Sequence, residues 1–476
     1  MRCLMWFRED LRLSDNMALH YACASANGGV LAIFLITPEI WQRHDVAACK
    51  VEFMLRGLHE LQTELAQLNI PLLVRYAKDY QEIPPILLTI AQQHHATRLF
   101  FNKQYEIDES RRDQKVILAL EQQGIKVYSY HDQVIAEPGS IVNQQGNYYK
   151  IFTPFKNAWL TAVQAKGYTV YPKPRPQKTL SLSADRLPEK IAGFQSNIPS
   201  SLWPAGESTA KQKLYDFATQ KLTAYQTTRD FPAKAGTSQL SPYLNAGMLS
   251  IRTCLKMAQE ANNGLLVSDQ GGASTWINEL IWREFYRHIL VAFPRISMHR
   301  PFKLETEQLN WSNNLAHFQA WQAGQTGYPL VDAAMRQLSQ TGWMHNRLRM
   351  VVAMFLSKTL FIDWRWGEKY FMQHLIDGDL ASNNGGWQWS ASTGTDAVPY
   401  FRIFNPILQS QRFDPTGEFI RSYCPELAQL NNKQIHFPYA SRLNQQKLDY
   451  PRPIVDHASH KQEVLTAFKQ LKLNQT

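Results

Sequence analysis

The sequence predicts an α/β domain at the N-terminus, followed by a larger domain built almost entirely of helices. Within the first 130 residues, short apolar segments alternate with segments of helical periodicity. After Trp203, apolar residues recur at helical spacing almost to the end of the chain. At 476 residues, the chain is also too long for one ordinary domain.

Five segments rich in Val, Ile, Leu, Phe and Tyr are predicted to be strands, and helical patterns separate them. Because strands that alternate with helices form parallel sheets, a doubly wound five-stranded parallel sheet is expected. The glycine pattern GxGxxG does not follow the first strand, so the usual dinucleotide fingerprint is missing. The predicted strands are 3–7, 30–36, 71–76, 98–102 and 126–130, and the helices are 49–68, 80–94 and 109–123, the last stopped by Gly124.

The domain limits are placed where this alternation stops. Residues 1–130 are predicted to form the α/β domain. Residues 131–204 are predicted to be a connector on the surface, because residues 168–177 combine prolines with basic residues. Residues 205–476 are predicted to form the helical domain, with helices at 210–225, 274–291, 328–338, 344–360 and 454–471.

Composition argues against several classes of protein. No apolar run approaches the ~18–20 residues of a membrane span, and the N-terminus lacks the pattern of a signal peptide. The five cysteines are scattered, with no CxxC motif or Cys/His cluster. Reduced thiols, a cytoplasmic location and no metal site are therefore expected.

Charge and aromatic residues are concentrated in the same part of the chain. The net charge is +10, and the whole basic excess lies after residue 150. Most of the 13 tryptophans lie between residues 276 and 402, among polar and charged residues. A basic region with aromatics is typical of nucleic-acid binding, and flat rings beside polar groups suit a planar ligand or flipped bases. Charge alone fits a protein that merely happens to be basic equally well.

The predicted helix at 274–291 has two different faces. One face is apolar and is expected to pack in the core: Ile277, Ile281, Phe285 and Ile289. The other carries an aromatic pair, a carboxylate and a cation, as a ligand-binding wall would: Glu279, Trp282, Arg283 and Tyr286. The alternative is a solvated face with a Glu279–Arg283 pair, which would contribute only ~0.3–0.5 kcal/mol.

Three further segments combine polar groups in ways that could bind a ligand. Asn346, Arg347 and Arg349 crowd the start of an apolar helix, and an Asp in the DGD segment could pair with an arginine beside a ligand or form a plain salt bridge. TSQLS, residues 237–241, could hold phosphate, although a simple helix N-cap explains the same residues. Residues 6–16 (WFREDLRLSDN) lie at the carboxyl end of a predicted strand, where α/β sheets bind ligands, and fit a charged turn equally well.

Taken together, several long motifs resemble the photolyase/cryptochrome family, with most similarity to bacterial class I cyclobutane pyrimidine dimer photolyases. The resemblance covers about residues 1–460. It implies an α/β antenna domain and a helical domain that binds FAD. The motifs are WFREDLRLSDN, YKIFTPFKNAW, RDFPAKAGTSQLS, WINELIWREFYRH, TGYPLVDAAMRQL, TGWMHNRLRM and DGDLASNNGGWQWSASTGTDAVPYFRIFNP.

The resemblance also implies roles for individual residues. The FAD-binding positions are Tyr225, Thr237, Ser238, Gln239, Leu240, Ser241, Trp276, Asn346, Arg349, Asp377, Gly378, Asp379 and Asn383. The positions that bind the flipped dimer and its DNA strand are Arg229, Glu279, Trp282, Arg283, Tyr286, Asn346, Arg347, Met350, Trp389 and Arg402. Glu279 and Asn383 have catalytic roles, together with an electron-transfer chain from the surface to FAD formed by Trp387, Trp364 and Trp311; sequence alone does not show whether these three rings meet.

An antenna chromophore is expected as well, and methenyltetrahydrofolate is predicted to bind at Asp108 and Glu109. Three positions depart from the family pattern. Gln239 replaces a common arginine, Asp108 replaces an asparagine, and Met298 replaces a lysine that would attract an anionic folate tail.

The implied activity is light-driven repair of cyclobutane pyrimidine dimers in DNA by electron transfer from reduced FAD. The enzyme would be a monomer acting on DNA that contains pyrimidine dimers. Two alternatives remain: a cryptochrome-like blue-light receptor without repair activity, and a photolyase for (6-4) lesions.

Overall fold

The computed structural model describes residues 1–267, 271–440 and 448–473. The chain divides into two compact units, each discontinuous in sequence. The sheet unit comprises Met1–Thr223, Ser238–Pro294 and Ile376–Asp379. The helical unit comprises Ala224–Thr237, Arg295–Leu375 and Leu380–Thr476. The predicted domain limits at residues 130 and 204 stay a prediction.

The sheet unit is built on five parallel strands in the order β3-β2-β1-β4-β5. All seven residues of β2 are buried, as expected for a central strand whose two faces are covered by helices. The order reverses next to β1, the position at which open α/β sheets bind ligands. The strands are β1 (Arg2–Phe7), β2 (Val30–Ile36), β3 (Leu72–Tyr76), β4 (Ala96–Asn102) and β5 (Lys126–Tyr130), so all five sequence predictions are confirmed.

Helices cover this sheet and continue through the rest of the sheet unit. The longest is α11, whose 21 residues include the predicted segment 274–291. The helices are α1 (Met17–Ser25), α2 (Pro38–Arg43), α3 (Ala48–Gln67), α4 (Ile83–Gln93), α5 (Ile107–Glu121), α6 (Phe152–Lys166), α7 (Glu207–Gln220), α9 (Ser241–Asn245), α10 (Ile251–Ala261) and α11 (Gly272–Ala292).

The described residues of the helical unit form helices that are joined by segments without regular secondary structure. Its core contains three buried tryptophans, Trp321, Trp364 and Trp387. No helix within the described ranges is both long and apolar enough to cross a bilayer. The helices are α8 (Tyr225–Thr228), α12 (Leu315–Ala323), α13 (Pro329–Thr341), α14 (Asn346–Met354), α15 (Trp364–His374), α16 (Leu380–Ala391), α17 (Pro406–Phe413), α18 (Glu418–Tyr423) and α19 (His457–Leu473).

Two expectations about secondary structure need correction. The connector is not simply a surface segment, because α6 buries Phe152, Phe155, Trp159 and Val163 along one face. This helical spacing was readable in the sequence, but the prolines that follow at 172–176 conceal it. The helix predicted at 344–360 instead starts at Asn346 and changes to a wider π-helical turn over Phe355–Thr359. In that turn, the Leu360 amide reaches back to the Phe355 carbonyl at 2.9 Å.

Candidate functional site

The two-faced character predicted for α11 is confirmed. Ile277, Ile281 and Phe285 are at most 1% exposed. The polar and aromatic side chains of the other face are all partly exposed: Glu279, Trp282, Arg283 and Tyr286. A half-exposed row that contains two large rings can contact a ligand while it remains anchored in the protein.

Trp282 has a ring partner that the sequence did not reveal. Its indole stacks on Phe152 of α6 with ring centroids 3.7 Å apart and planes 7° apart. Tyr286 lies beside the same indole at 5.6 Å. The stack fixes the plane of Trp282 and occupies one face of its ring, so at most the other face can accept a base. The only sequence signal for Phe152 was its place in the motif YKIFTPFKNAW.

The second half of α11 supplies two cations. Arg287 forms an ion pair with Asp379 at 2.5 Å, and Arg283 donates to the Gln133 carbonyl at 2.7 Å. Burial and the neighbouring Arg287 lower the pKa of Arg283 to about 9, against the opposite effect of Asp379. Arg283 therefore lies where an additional negative charge would be favourable. Arg287 was not predicted as a site residue, although it lies one turn beyond Arg283.

The DGD turn is held by polar contacts within the sheet unit. The Gly378 carbonyl accepts hydrogen bonds from Lys50 Nζ at 2.8 Å and from Asn245 Nδ2 at 3.1 Å. Lys50 is itself buried and pairs with Glu9 at 2.9 Å. These contacts fix the backbone between Asp377 and Asp379. Lys50 lies more than 300 residues away in sequence, so no local pattern indicates it.

In the TSQLS segment, Ser238 and Ser241 remain at least partly exposed, and Leu240 is buried. Leu240 occupies the N-cap position of α9 and no side chain caps that helix, so the simple N-cap interpretation is wrong. Gln239 has a φ of 51°, in the left-handed region that disfavours side chains. Trp276 is buried against Phe217, with ring centroids 4.9 Å apart.

In the helical unit, two predicted DNA-binding arginines share one carboxylate. Arg347 Nη2 lies 2.9 Å from Asp230 Oδ1, and Arg229 Nε lies 4.0 Å from the same oxygen. The guanidinium of Arg347 also lies over the ring of Phe413, 4.4 Å from its centroid. The structure therefore brings residues from two distant motifs into one basic cluster. Asp230 was not predicted.

The N-terminus of α14 orders several predicted side chains. His345 caps the helix by accepting a hydrogen bond from the Arg347 amide at its Nδ1, and burial lowers the pKa of His345 to about 4. The imidazole is therefore neutral, as an acceptor must be. Arg349 Nε donates to the Met344 carbonyl at 2.8 Å, and Arg347 Nη1 lies 3.9 Å from the sulfur of Met350. Asn346 is exposed.

Asn383 on α16 is tied to helix α15. Its amide nitrogen donates to the Glu368 carbonyl at 2.9 Å, and Asn384 donates to the Glu368 carboxylate at the same distance. Asn383 remains partly exposed, whereas Asn384 and Glu368 are buried. Glu368 thus fixes the position of the side chain expected near a cofactor. Trp389, on the same helix, is also partly exposed.

The three relay tryptophans belong to one hydrophobic cluster. Trp364 and Trp387 are 1% and 2% exposed, and partly buried Trp311 packs against the same cluster. A Cβ added at Gly367, one turn after Trp364, would lie 2.1 Å from the Trp387 ring, so α15 approaches α16 closely there. Trp387 Nε1 is buried without a hydrogen-bond partner among the described residues.

Of the two predicted antenna-binding residues, Glu109 is buried and Asp108 is exposed. The Glu109 carboxylate accepts a hydrogen bond from Tyr80 and lies 3.3 Å from His44 Nδ1. Burial acts to raise the pKa of Glu109, but His44, Arg112 and Tyr80 outweigh it and hold the pKa at about 2. The hydrogen bond to Glu109 in turn raises the pKa of His44. His44 and Tyr80 were not predicted.

Two protein-family models match this chain. Residues 3–178 match the model described as DNA photolyase, and residues 276–470 match the model described as FAD binding domain of DNA photolyase. Together these matches span more than half of the sequence, on a parallel sheet and a helical unit of the kind described above. The chain therefore belongs to the DNA photolyase family.

Individual relatives resemble it over their whole length. The chain is 46% identical to the deoxyribodipyrimidine photo-lyase of Salmonella typhimurium over 468 residues, which cover 98% of each protein. Its fold matches a class III photolyase from Agrobacterium tumefaciens with a TM-score of 0.88 and 34% identity, covering 99% of this chain and 98% of the other. It also matches a cryptochrome from Synechocystis with a TM-score of 0.85 and 29% identity, covering 98% of this chain and 99% of the other.

The side chains present fit an FAD-binding domain in chemical character. The helical unit offers an orphaned buried donor at Trp387 Nε1, an exposed amide at Asn346 and a guanidinium at Arg349. The sheet unit offers the partly exposed hydroxyls of Ser238 and Ser241. Hydroxyls and cations suit the phosphates of such a ligand, and amides suit its ring edges.

Proposed function

We propose that this protein repairs cyclobutane pyrimidine dimers in DNA, in a light-driven reaction that depends on bound FAD. The observation that supports this proposal most directly is the partly exposed face of α11, on which Trp282 stacks on Phe152 and lies next to Glu279 and Arg283 in the helix. A rigid ring beside a carboxylate and a cation suits a flat, hydrogen-bonding ligand. The DNA photolyase family and a relative named deoxyribodipyrimidine photo-lyase support the same function.

The dimer must leave the DNA double helix before this face can contact it. Photolyases are among the enzymes that flip their target bases out of the duplex. Trp282 then supplies the apolar surface on which an extruded base stacks, a contact worth ~1–3 kcal/mol per base. Glu279 accepts hydrogen bonds from base edges, and Arg283 supplies positive charge. Tyr286 supports the indole from the side.

The DNA strand is bound by the cations of the helical unit. Arg229 and Arg347 form one cluster around Asp230, and exposed Arg402 lies on the loop that follows α16. Each cation that neutralises a phosphate releases a counterion, which makes binding dependent on salt. Met350 and Trp389 complete the proposed substrate contacts in this unit.

The residues proposed to hold the cofactor are those that the family resemblance indicates. Reduced FAD, when bound, supplies a light-absorbing electron donor for opening the cyclobutane ring. The residues proposed to hold its phosphates are Thr237, Ser238 and Ser241, with Gln239 and Leu240 in the same turn. Arg349 supplies a cation and Asn383 an amide to its ring system. The other residues proposed to contact the cofactor are Tyr225, Trp276, Asn346 and the turn Asp377–Asp379. Glu368 keeps the Asn383 amide oriented.

Trp387, Trp364 and Trp311 are proposed to conduct electrons from the protein surface to the oxidised cofactor. Their membership of one packed cluster supports the idea, as does the partial exposure of Trp311, in contrast to buried Trp364 and Trp387. This relay would restore the reduced state that repair requires.

The antenna chromophore is proposed to be methenyltetrahydrofolate, bound near Glu109 and Asp108. Because the carboxylate of Glu109 stays ionised, it can accept hydrogen bonds from a pterin-like ring. In Glu109→Gln, near-UV absorption from the antenna should fall in the purified protein while the flavin bands remain. Equal antenna absorption in both proteins would exclude this site.

The decisive experiment is a repair assay. Reduced protein, illuminated with oligo(dT) that contains cyclobutane dimers, should restore absorbance at 260 nm, and the same mixture in the dark should not. Recovery only with (6-4) lesions would favour the alternative photolyase. A bound flavin without any recovery would favour a cryptochrome-like receptor, since the fold also matches a cryptochrome from Synechocystis. We further propose that the protein acts as a monomer in the cytoplasm.

A further inference from the structure

The π-helical turn Phe355–Thr359 places a lysine in the interior of the helical unit. Lys358 is 0% exposed. Among the described residues, no carboxylate forms an ion pair with it. Lysine is almost never fully buried unless it is paired, because desolvating an ammonium group is costly. Burial, together with the smaller effect of nearby Lys303, lowers the pKa of Lys358 to about 7. A methionine or leucine would fill a similar volume without the free-energy cost of burying an ammonium group. Packing alone therefore does not explain a lysine at this position.

The partners of Lys358 are two carbonyls of one turn. Its Nζ lies 3.2 Å from the Arg402 carbonyl and 3.5 Å from the Pro399 carbonyl. The Arg402 amide also donates to Pro399 at 2.9 Å, which closes the turn. One buried amino group therefore contacts both ends of the turn from the inside.

This turn belongs to the segment between α16 and α17, which has no regular secondary structure. Its inner side is anchored by Tyr400, which stacks on Phe468 with ring centroids 5.5 Å apart. Its outer side presents Phe401, 62% exposed, and the exposed side chain of Arg402. A turn without ladder hydrogen bonds depends on such side-chain contacts for a fixed position.

We infer that Lys358 is a positioning residue for DNA binding: its buried amino group fixes the turn Pro399–Arg402, and so the outward placement of Arg402. This inference rests on the proposed function, because the DNA contact of Arg402 belongs to it. Lys358 itself touches no DNA. Without the Lys358 amino group, the Arg402 side chain would keep its charge but would no longer be held in a fixed position.

The test is a double-mutant cycle on the salt dependence of binding to dimer-containing DNA. Arg402→Ala should reduce the log–log salt slope by about one. Lys358→Met should reduce it by a similar amount although it removes no surface charge. The double variant should show no further reduction, because both changes remove the same contact. Trypsin should cut after Arg402 faster in Lys358→Met than in the natural protein.

The matched control is Ser357→Ala. Ser357 is the buried neighbour of Lys358, and its hydroxyl donates to the Ala353 carbonyl at 2.7 Å, away from the turn. It should leave the slope unchanged. Flavin absorbance and the melting temperature verify that each variant is intact. Should Lys358→Met fail to retain flavin, Lys358→Gln, whose amide is one bond shorter, is measured in its place with the same expectation.

The outcomes distinguish a failure of the proposed DNA contact of Arg402 from a failure of the positioning role of Lys358. An unchanged slope in Arg402→Ala removes Arg402 from the proposed DNA contacts. A reduced slope in Arg402→Ala with an unchanged slope in the Lys358 variant overturns the positioning role alone. An equal reduction in Ser357→Ala, or additive effects in the double variant, overturns it as well.

Discussion

Asp230 Oδ1 lies 2.9 Å from Nη2 of Arg347, and Arg347 is on the first helical turn of α14. The same carboxylate lies 4.0 Å from Arg229. The two arginines, which the sequence places more than 100 residues apart, therefore share one counterion. A DNA phosphate that binds either cation must compete with Asp230, and this competition leads to the first prediction.

Asp230→Asn should strengthen binding to undamaged DNA, because the phosphate no longer displaces a carboxylate from Arg347. Arg347→Ala should weaken binding to all DNA and lower the log–log salt slope by about one. Both effects are measured by fluorescence anisotropy between 50 and 200 mM salt. Weaker binding by Asp230→Asn would mean that Asp230 orients the cations for phosphate and does not compete with it.

Trp282→Ala should weaken binding to dimer-containing DNA by about 1–3 kcal/mol, the usual value for one stacked base. Affinity for undamaged DNA should change little, since the contact requires an extruded base. Phe152→Leu should weaken damage recognition in the same direction and to a smaller extent, because it removes the stack that orients Trp282. Flavin content serves as the control for folding. If damaged and undamaged DNA lose affinity equally in Trp282→Ala, the residue does not contact the dimer.

Trp387→Phe should abolish most photoreduction of oxidised flavin while sparing repair by enzyme that has been reduced chemically. The ring change keeps the hydrophobic cluster filled but removes the more easily oxidised indole. Absorbance of the flavin under illumination, with an external reductant, measures the first effect, and the oligo(dT) assay measures the second. Trp366→Phe is the control, since Trp366 packs against the same cluster outside the proposed relay. Photoreduction at the natural rate in Trp387→Phe would rule out this relay.

The stability difference between Lys358→Met and the natural protein should depend on pH. Below pH 7 the lysine is protonated in both states, so the folded protein bears the full cost of burying the charge. Between the folded pKa of about 7 and the ordinary value of 10.5, only the unfolded chain keeps the proton, so the natural protein gains stability as pH rises.

The advantage of the methionine variant should therefore be largest near pH 6 and shrink toward pH 9, as followed by denaturant unfolding. Lys303 and His457 are the neighbouring groups that titrate or carry charge; His457 lies 3.2 Å from Thr359. A Lys303→Met variant separates the contribution of Lys303. A difference that is constant across this range would show that Lys358 stays protonated.

The fold could be predicted because its signals are local. Strand β2 is an unbroken apolar run, and α11 repeats its apolar residues at helical spacing. The residue pattern of each segment therefore predicts which of its faces are buried. The connector, residues 131–204, shows where prediction from local patterns fails. The helical spacing of Phe152, Phe155 and Trp159 precedes a proline-rich stretch, and the strong signal of the prolines concealed the weaker one.

The site was only partly predictable. Motifs indicated Trp282 and Arg347, since these residues stand in long recognisable segments, and the family resemblance indicated Glu109. Their partners Phe152, Asp230 and His44 come from other segments. Phe152 and Asp230 also stand in such motifs, but a motif does not show which distant side chain a residue contacts. The N-cap interpretation of the TSQLS segment was wrong for a related reason: a hydroxyl near a helix start caps only if the backbone brings it there.

By itself, the sequence determined the five strands, the two faces of α11 and the family whose motifs it carries. Periodicity and residue type act over a few neighbouring positions, so they can be read along the chain. Only the tertiary structure decided that Arg229 and Arg347 share Asp230, that Phe152 covers one face of Trp282, and that Lys358 supports the turn of Arg402. Such contacts join residues that are far apart in sequence, and they form only when packing of the whole unit brings their backbones together.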